Sequence, residues 1–363
     1  MSSTILVTGG LGYIGSHTVV ELVQAMHDKT LEVPDKDLHI LIIDNLSNSS
    51  TAVIPKMEQI LDEYCGGKRQ KPYFQYKECD IQNVEQLREV FASCVRDEKP
   101  IKYIEHFAAL KCVPESCEIP MQYFKNNFIG ALNLVQCMEE FDCHYIVHSS
   151  SSRCYGNNLN STENDAVEVY NPYAGTKLCV DYMLRSFALA HKDWRCISVR
   201  YFNPCGAHPS GLIGEDPKYP HNLFPYIEEV AVGNRDIVSV FGNDFQTKDG
   251  TGVRDYTHVI DIAKVHIGVM KKFWEIQGHE IYNIGTENSY SVLDVISAYA
   301  KAIGKEIPWK FAPRRAGDID FTQSKADKAF KELKWKATKT LEDCCKDSFN
   351  WKTMNKHGYE GKQ

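Results

Sequence analysis

Thr8-Gly9-Gly10-Leu11-Gly12-Tyr13-Ile14-Gly15 spaces three of its glycines at positions 9, 12 and 15. The run Ile5-Leu6-Val7 before it reads as a buried strand. After it, Val19, Leu22, Val23 and Met26 recur at the spacing of one helix face. A strand, a glycine turn and a helix in that order make a dinucleotide-binding βα unit. Gly9 permits the tight turn, Gly12 lets backbone approach a pyrophosphate, and Gly15 lets helix and strand pack closely. The pyrophosphate then meets the free N–H groups and the positive end of the helix.

Outward from that unit the alternation continues. Further strands are expected over 38–43, 73–79, 101–107, 145–149 and 196–201, with helices over 84–93, 121–140 and 173–191 between them. Such βαβ alternation gives a parallel sheet covered by helices on both sides. Beyond Tyr201, Pro204, Gly206, Pro209, Gly211, Gly214, Pro217, Pro220 and Pro225 mark a loop-rich crossing. Helices over 291–302 and 341–351 then belong to a second lobe. The expected fold is α/β, a Rossmann-like doubly wound parallel sheet with a smaller α/β substrate-binding lobe. Residues 1–203 form the first domain and 204–363 the lobe, with part of 251–274 returning to the first domain.

Asp44 closes the second expected strand, where its carboxylate can accept hydrogen bonds from a ribose diol and would repel a 2′-phosphate. Asn45 and Leu46 follow it, with no arginine for such a phosphate, so NAD is favoured over NADP. Asp80-Ile81 closes another strand, where adenine would lie.

The 363 residues carry a formal charge of −7, which gives no electrostatic reason to expect nucleic acid or an acidic membrane as partner. No run approaches the roughly 20 apolar residues of a membrane span. The 13 cysteines, without paired CxxC motifs, read as thiols of a reducing compartment rather than a metal site. A cytoplasmic protein is expected.

Tyr173 and Lys177 lie four residues apart, on one helix face, behind Asn171-Pro172. A nearby ammonium and a bound NAD⁺ would each favour phenolate and turn this tyrosine into a general base for a sugar hydroxyl. Ser149-Ser150-Ser151-Ser152 ends a strand at the crevice where ligands bind, and one hydroxyl there can share the substrate proton with Tyr173.

TGGLGYIGSH, DNLSNS, FAALK, SSSSRCYG, NPYAGTK, RYFNPCGAHPSG, FGNDFQTKDGTGVRDY and PRRAGD together resemble the UDP-galactose/UDP-glucose 4-epimerases, in order and spacing, from Thr4 to Trp351. The resemblance implies an NAD site of Gly9, Gly12, Tyr13, Ile14 and Gly15, then Asp44, Asn45, Leu46, Ser47, Asn48 and Ser49. It adds Asp80, Ile81, Phe107, Ala108, Ala109, Leu110, Lys111, Asn126, Ser151, Tyr173, Lys177 and Phe202. It implies Tyr173, Lys177 and Ser151 as catalytic residues, Ser151 because Tyr155-Gly156 aligns with the family's Tyr-Gly. For the UDP-sugar it implies Lys111, Ser151, Tyr173, Asn203, Asn222, Leu223, Val240, Phe241, Arg254, Arg315 and Asp318. Thr322, four positions after Asp318, would wall the sugar pocket, and its small size suggests room for a 2-acetamido group. A homodimer through the helices over 121–140 and 173–191 is also implied.

The implied reaction is transient oxidation at C4, with Tyr173 moving the hydroxyl proton and the keto sugar turning about its link to UDP. Three departures from the family pattern concern the sugar pocket. Arg153 stands where a threonine is usual, Pro114 replaces a glycine, and the stretch from Tyr155 to Tyr173 is shorter. A 4,6-dehydratase is the nearest rival, but Ser152-Arg153 stands where its Asp-Glu pair would be. A non-catalytic NAD-binding regulator would be expected to lack Tyr173 or Lys177.

Overall fold

The computed structural model of the chain describes residues 2–67, 72–156, 160–217, 222–315 and 318–361. Pro220 and the Ala316-Gly317 step of PRRAGD lie outside the described residues. The first half runs β1 (Ser2–Thr8), α1 (Tyr13–His27), β2 (Asp37–Asp44), α2 (Ile54–Tyr64), β3 (Gln75–Glu78), α3 (Val84–Arg96), β4 (Ile101–His106), α4 (Val113–Glu118), α5 (Pro120–Tyr123), α6 (Gly130–Glu140), β5 (Tyr145–Ser151), β6 (Asn160–Ser161), α7 (Pro172–Ala190) and β7 (Arg195–Tyr201). The second runs β8 (Asn203–Cys205), α8 (Leu223–Ala231), β9 (Val238–Phe241), β10 (Val253–His258), α9 (Val259–Lys272), β11 (Gly278–Ile284), β12 (Ser289–Ser291), α10 (Val292–Ile303), β13 (Trp309–Ala312), β14 (Gln323–Ser324) and α11 (Leu341–Met354).

Seven strands form one sheet in the order β11-β7-β5-β4-β1-β2-β3, with every pairing parallel. Both of its faces are buried, so its strands are nearly continuous apolar runs whose residues alternate between two cores. Ile5, Val7, Ile40 and Ile42 face one core with residues of α1, α2 and α9. Leu6, Leu41, Ile43 and Ile104 face the other, with residues of α3, α6 and α7. The chain winds outward from β1 through β2 to β3, then restarts at β4 on the other side of β1. Strand order reverses between β1 and β4, which opens a crevice at their C-terminal ends, after Thr8 and His106.

The second lobe joins β8, β10 and β12 in one small sheet and β9 with β13 in another. Its core draws Phe224, Ile227, Val238, Tyr256, Ile296, Tyr299 and Cys345 from α8, β9, β10, α10 and α11. Capping boxes start α10 at Ser291 with Asp294, and α11 at Thr340 with Asp343.

The structure adds to two sequence expectations. The main sheet gains a seventh strand, β11, which pairs in parallel with β7. Its opening residues Gly278, His279 and Glu280 do not read as a buried strand. The expected helix over 121–140 is present with helical backbone throughout, but α5 widens into a π-type turn at Phe124–Ile129 before α6 begins. Wide turns of this kind recur at functional sites. Here the turn buries consecutive asparagines, Asn126 against the crevice and Asn127 against Leu110 and Thr176.

Candidate active site

A deep cleft runs from the β1–α1 turn, past the ends of β5 and α7, to the second lobe at β9, β10 and Arg315–Asp318. At its dinucleotide end Gly9 has φ +68°, and a Cβ there would sit 2.7 Å from the Ala108 nitrogen. A Cβ on Gly15 would sit 2.3 Å from the Gly9 carbonyl oxygen, so this helix can approach its own turn only with glycine. Helix α1 starts at Gly12 with no side-chain cap and no acidic residue in its first turn. Its first N–H groups are left for an anion, which is the fit a pyrophosphate requires.

Asp44 is held by three donors. Leu11 N–H reaches one carboxylate oxygen at 3.2 Å; Leu46 N–H at 3.0 Å and Ser49 Oγ at 2.7 Å reach the other. The 45–49 loop therefore orients the carboxylate that faces the cleft, and no arginine lines that end. Tyr13 Oη donates to the Gly206 carbonyl at 2.6 Å, which ties α1 to the crossing into the second lobe. Lys111 pairs with buried Glu215 at 2.5 Å and lies 5.6 Å from the centre of the Tyr13 ring.

At the reacting end, α7 is capped by Asn171, whose side chain accepts from Ala174 N–H at 2.9 Å, and Pro172 fills the first helical position. That fixes Tyr173 on the first turn and Lys177 one turn deeper. Lys177 Nζ donates to the Ser149 carbonyl at 2.6 Å. Burial lowers its pKa to about 8, against the pull of Asp181. Burial likewise raises Tyr173 to about 12; the Ser151 hydrogen bond and the Arg153 charge oppose that rise. Burial is thus the largest influence on the phenol, and it opposes the base role expected of it.

The serine run sorts by partner. Ser149 contributes its carbonyl to Lys177, Ser150 Oγ donates to Asp181 at 3.0 Å, and Ser152 starts a short 3-10 turn. Ser151 alone has its hydroxyl on Tyr173, and its oxygen also accepts from Arg153 N–H at 3.2 Å.

On the substrate side Asn203, Asn222, Leu223, Phe241, Arg254, Arg315 and Asp318 line the cleft together. Arg254 is buried and gripped by main-chain carbonyls of Val253 at 2.8 Å and Ile319 at 2.7 Å. Arg315 pairs with Asp318 at 3.1 Å and stacks over Phe241 at 4.8 Å. Asn222 donates to Glu215 at 3.1 Å.

Five of the implied residues are not brought to the cleft wall. Val240 alternates with Phe241 on β9 and is buried in the lobe core. Leu46 packs on the sheet core, and Leu110 is held by Asn127 through both main-chain groups. Asp80 turns its carboxylate back to Gln82 N–H. Thr322 is tied by its backbone, which donates to Val253 and accepts from Ser289. Conversely, Glu215, Tyr226, Phe224, Tyr201 and Tyr256 line the cleft without having been singled out in the sequence. A carboxylate in the Gly214-Glu215-Asp216-Pro217 turn, opposite the lysine of FAALK, was the one available signal.

A family profile described as GDP-mannose 4,6 dehydratase matches residues 6–348. UDP-glucose 4-epimerase of Dictyostelium discoideum is 43% identical over 359 residues, covering 98% of this chain and 97% of its own. UDP-glucose 4-epimerase of Bacillus subtilis is 44% identical, covering 98% of each chain. The chain belongs to the UDP-glucose 4-epimerase family. Among solved structures, the Bifidobacterium longum UDP-glucose 4-epimerase in complex with NAD⁺ and UDP superposes with a TM-score of 0.87 at 41% identity. That match covers 98% of this chain and all of the other. The Stenotrophomonas maltophila UDP-glucose 4-epimerase, with bound NAD and formylated UDP-arabinopyranose, gives 0.85 at 36% identity. The seven-stranded parallel sheet and its flanking helices are thus the fold of this epimerase family.

Proposed function

We propose that the protein interconverts UDP-galactose and UDP-glucose by NAD-dependent 4-epimerisation. One observation carries the reading: Tyr173, Lys177 and Ser151 stand together in a single cleft between the α1 N-terminus and the pair Arg254 and Arg315. When bound, NAD supplies a hydride acceptor at C4. The residues of the chain do the rest. Tyr173 takes the 4-hydroxyl proton and later returns it, with Ser151 sharing the hydrogen bond. Lys177, anchored on Ser149, turns its remaining donors towards cofactor and phenol. Arg254 and Arg315 hold the diphosphate, so that the keto sugar turns about that anchor without escaping. Asp44 fits the adenosine ribose, and Glu215, Asn222 and Lys111 border the sugar.

Acceptance of 2-acetamido sugars is tested by assaying UDP-N-acetylgalactosamine on wild type and on Thr322→Tyr, which should lose that activity and keep UDP-galactose turnover. The protein is read as a cytoplasmic homodimer. All 13 cysteines are free, and no described helix is long and apolar enough to cross a membrane. Met121, Ile129, Leu132, Tyr182 and Leu189 expose apolar surface on α5–α7, where a twofold partner would cover them. Light scattering is expected to return twice the 41.3 kDa chain mass; a monomeric mass at micromolar concentration would refute the pairing. The activity itself is tested with purified protein and UDP-galactose alone. UDP-glucose should form with no NAD added, and an absolute requirement for a second reductant would end this reading.

A further inference from the structure

Arg153 has no counterpart role in the reaction described above, yet it lines the cleft. It sits in the 3-10 turn Ser152–Tyr155, which starts from Ser151, and that serine's oxygen caps the turn by accepting from Arg153 N–H. The side chain is largely withdrawn from solvent and, among the described residues, makes no hydrogen bond or ion pair. Its electrostatic neighbours are Asp318, Tyr173, Arg315 and Tyr256. It also exerts the largest charge effect on Arg254, whose pKa falls to about 10 through burial first and Arg153 second. Three guanidinium groups thus converge in a water-poor cleft. Arg315 has a carboxylate, Asp318; Arg254 has only main-chain carbonyls, which position its charge without neutralising it. Mutually repelling cations held this way make an anion site.

We propose that Arg153 is a third phosphate-binding arginine, specific to the phosphate that carries the sugar. The assignment rests on the nucleotide-sugar reading and on where Arg153 starts. It leaves the chain two residues after Ser151 and lines the same cleft wall as Tyr173, Arg315 and Asp318, all of which act on its charge. The reacting carbon lies at Tyr173, so the sugar-bearing phosphate is the anion within reach of both ends. Arg153 therefore fixes the pivot about which the keto sugar turns. Arg254 and Arg315 continue the clamp toward the nucleoside phosphate.

The test is calorimetric titration of the NAD-loaded enzyme with UDP and with UMP, which lacks the second phosphate. Arg153→Thr should weaken UDP binding about 10- to 100-fold, the range for one lost charge-assisted hydrogen bond. UMP binding should stay within about twofold, and Arg153→Lys should recover part of the loss for UDP alone. Arg153→Gln replaces the threonine variant if that one fails to retain NAD and its melting temperature. Equal weakening of UDP and UMP, or undiminished UDP binding in a folded variant, overturns the proposal. Wild-type turnover of UDP-galactose is measured alongside: if it is present, such a failure counts against Arg153 alone, and if it is absent, the epimerase reading has failed instead.

Discussion

Tyr173→Phe is expected to lower turnover by roughly 10²–10⁴-fold, the usual worth of a positioned general base. NAD should remain bound, because the dinucleotide end of the cleft is built from other residues: the Gly9–Gly15 turn, the uncapped start of α1 and the tethered Asp44. The substitution removes one oxygen from a half-buried phenol and leaves the ring, so the fold should hold. Desolvation raises its pKa, so its action as a base depends on positive charge around it, including that of the bound cofactor's nicotinamide ring. Purified variant, assayed for conversion and for NAD released on denaturation, gives both readings. Near-normal turnover would mean that another group moves the proton.

Lys177→Met is expected to fail in a different way. It should lose activity by at least ~10²-fold and also lose cofactor, since the same ammonium serves both ends of the site. Lys177 Nζ donates to the Ser149 carbonyl, and the residue lines the cleft with two further donors on its ammonium. Methionine fills similar volume but leaves that carbonyl unpaired, at a cost of about 1–3 kcal/mol in local stability. The expected result is a folded protein with a lower melting temperature and NAD lost on gel filtration. Full NAD retention with activity lost would confine Lys177 to the proton step. Activity retained would remove it from the site.

The sheet and the cofactor end were legible because their constraints are local. Ile5–Val7, the glycine spacing and the carboxylate at Asp44 each fix a backbone geometry within a few residues of themselves. Tyr173 and Lys177 were legible for the same reason, one helix turn apart behind a capping asparagine. What escaped depends on contacts between distant segments. Strand β11 is added to the sheet edge 77 residues after β7 ends, and its register is set by that neighbour rather than by its own pattern. Within the π-type turn at Phe124–Ile129, Asn127 bonds both Leu110 and Thr176, segments distant in sequence. The desolvation of Tyr173 was not legible, because helix spacing says nothing of burial; the packed cleft shows burial as the largest influence, raising the phenol's pKa.

The central claim, that one cleft removes and restores the same hydride at C4, is tested most directly with UDP-galactose deuterated at C4. The enzyme, as purified and with no NAD added, is mixed with labelled substrate in ordinary water, and the UDP-glucose formed is analysed by mass spectrometry and NMR. The account predicts UDP-glucose carrying deuterium at C4, with no loss to solvent. Product that has lost the label to water would contradict it, because inversion would then have gone by proton exchange rather than by a hydride held in the Tyr173 cleft.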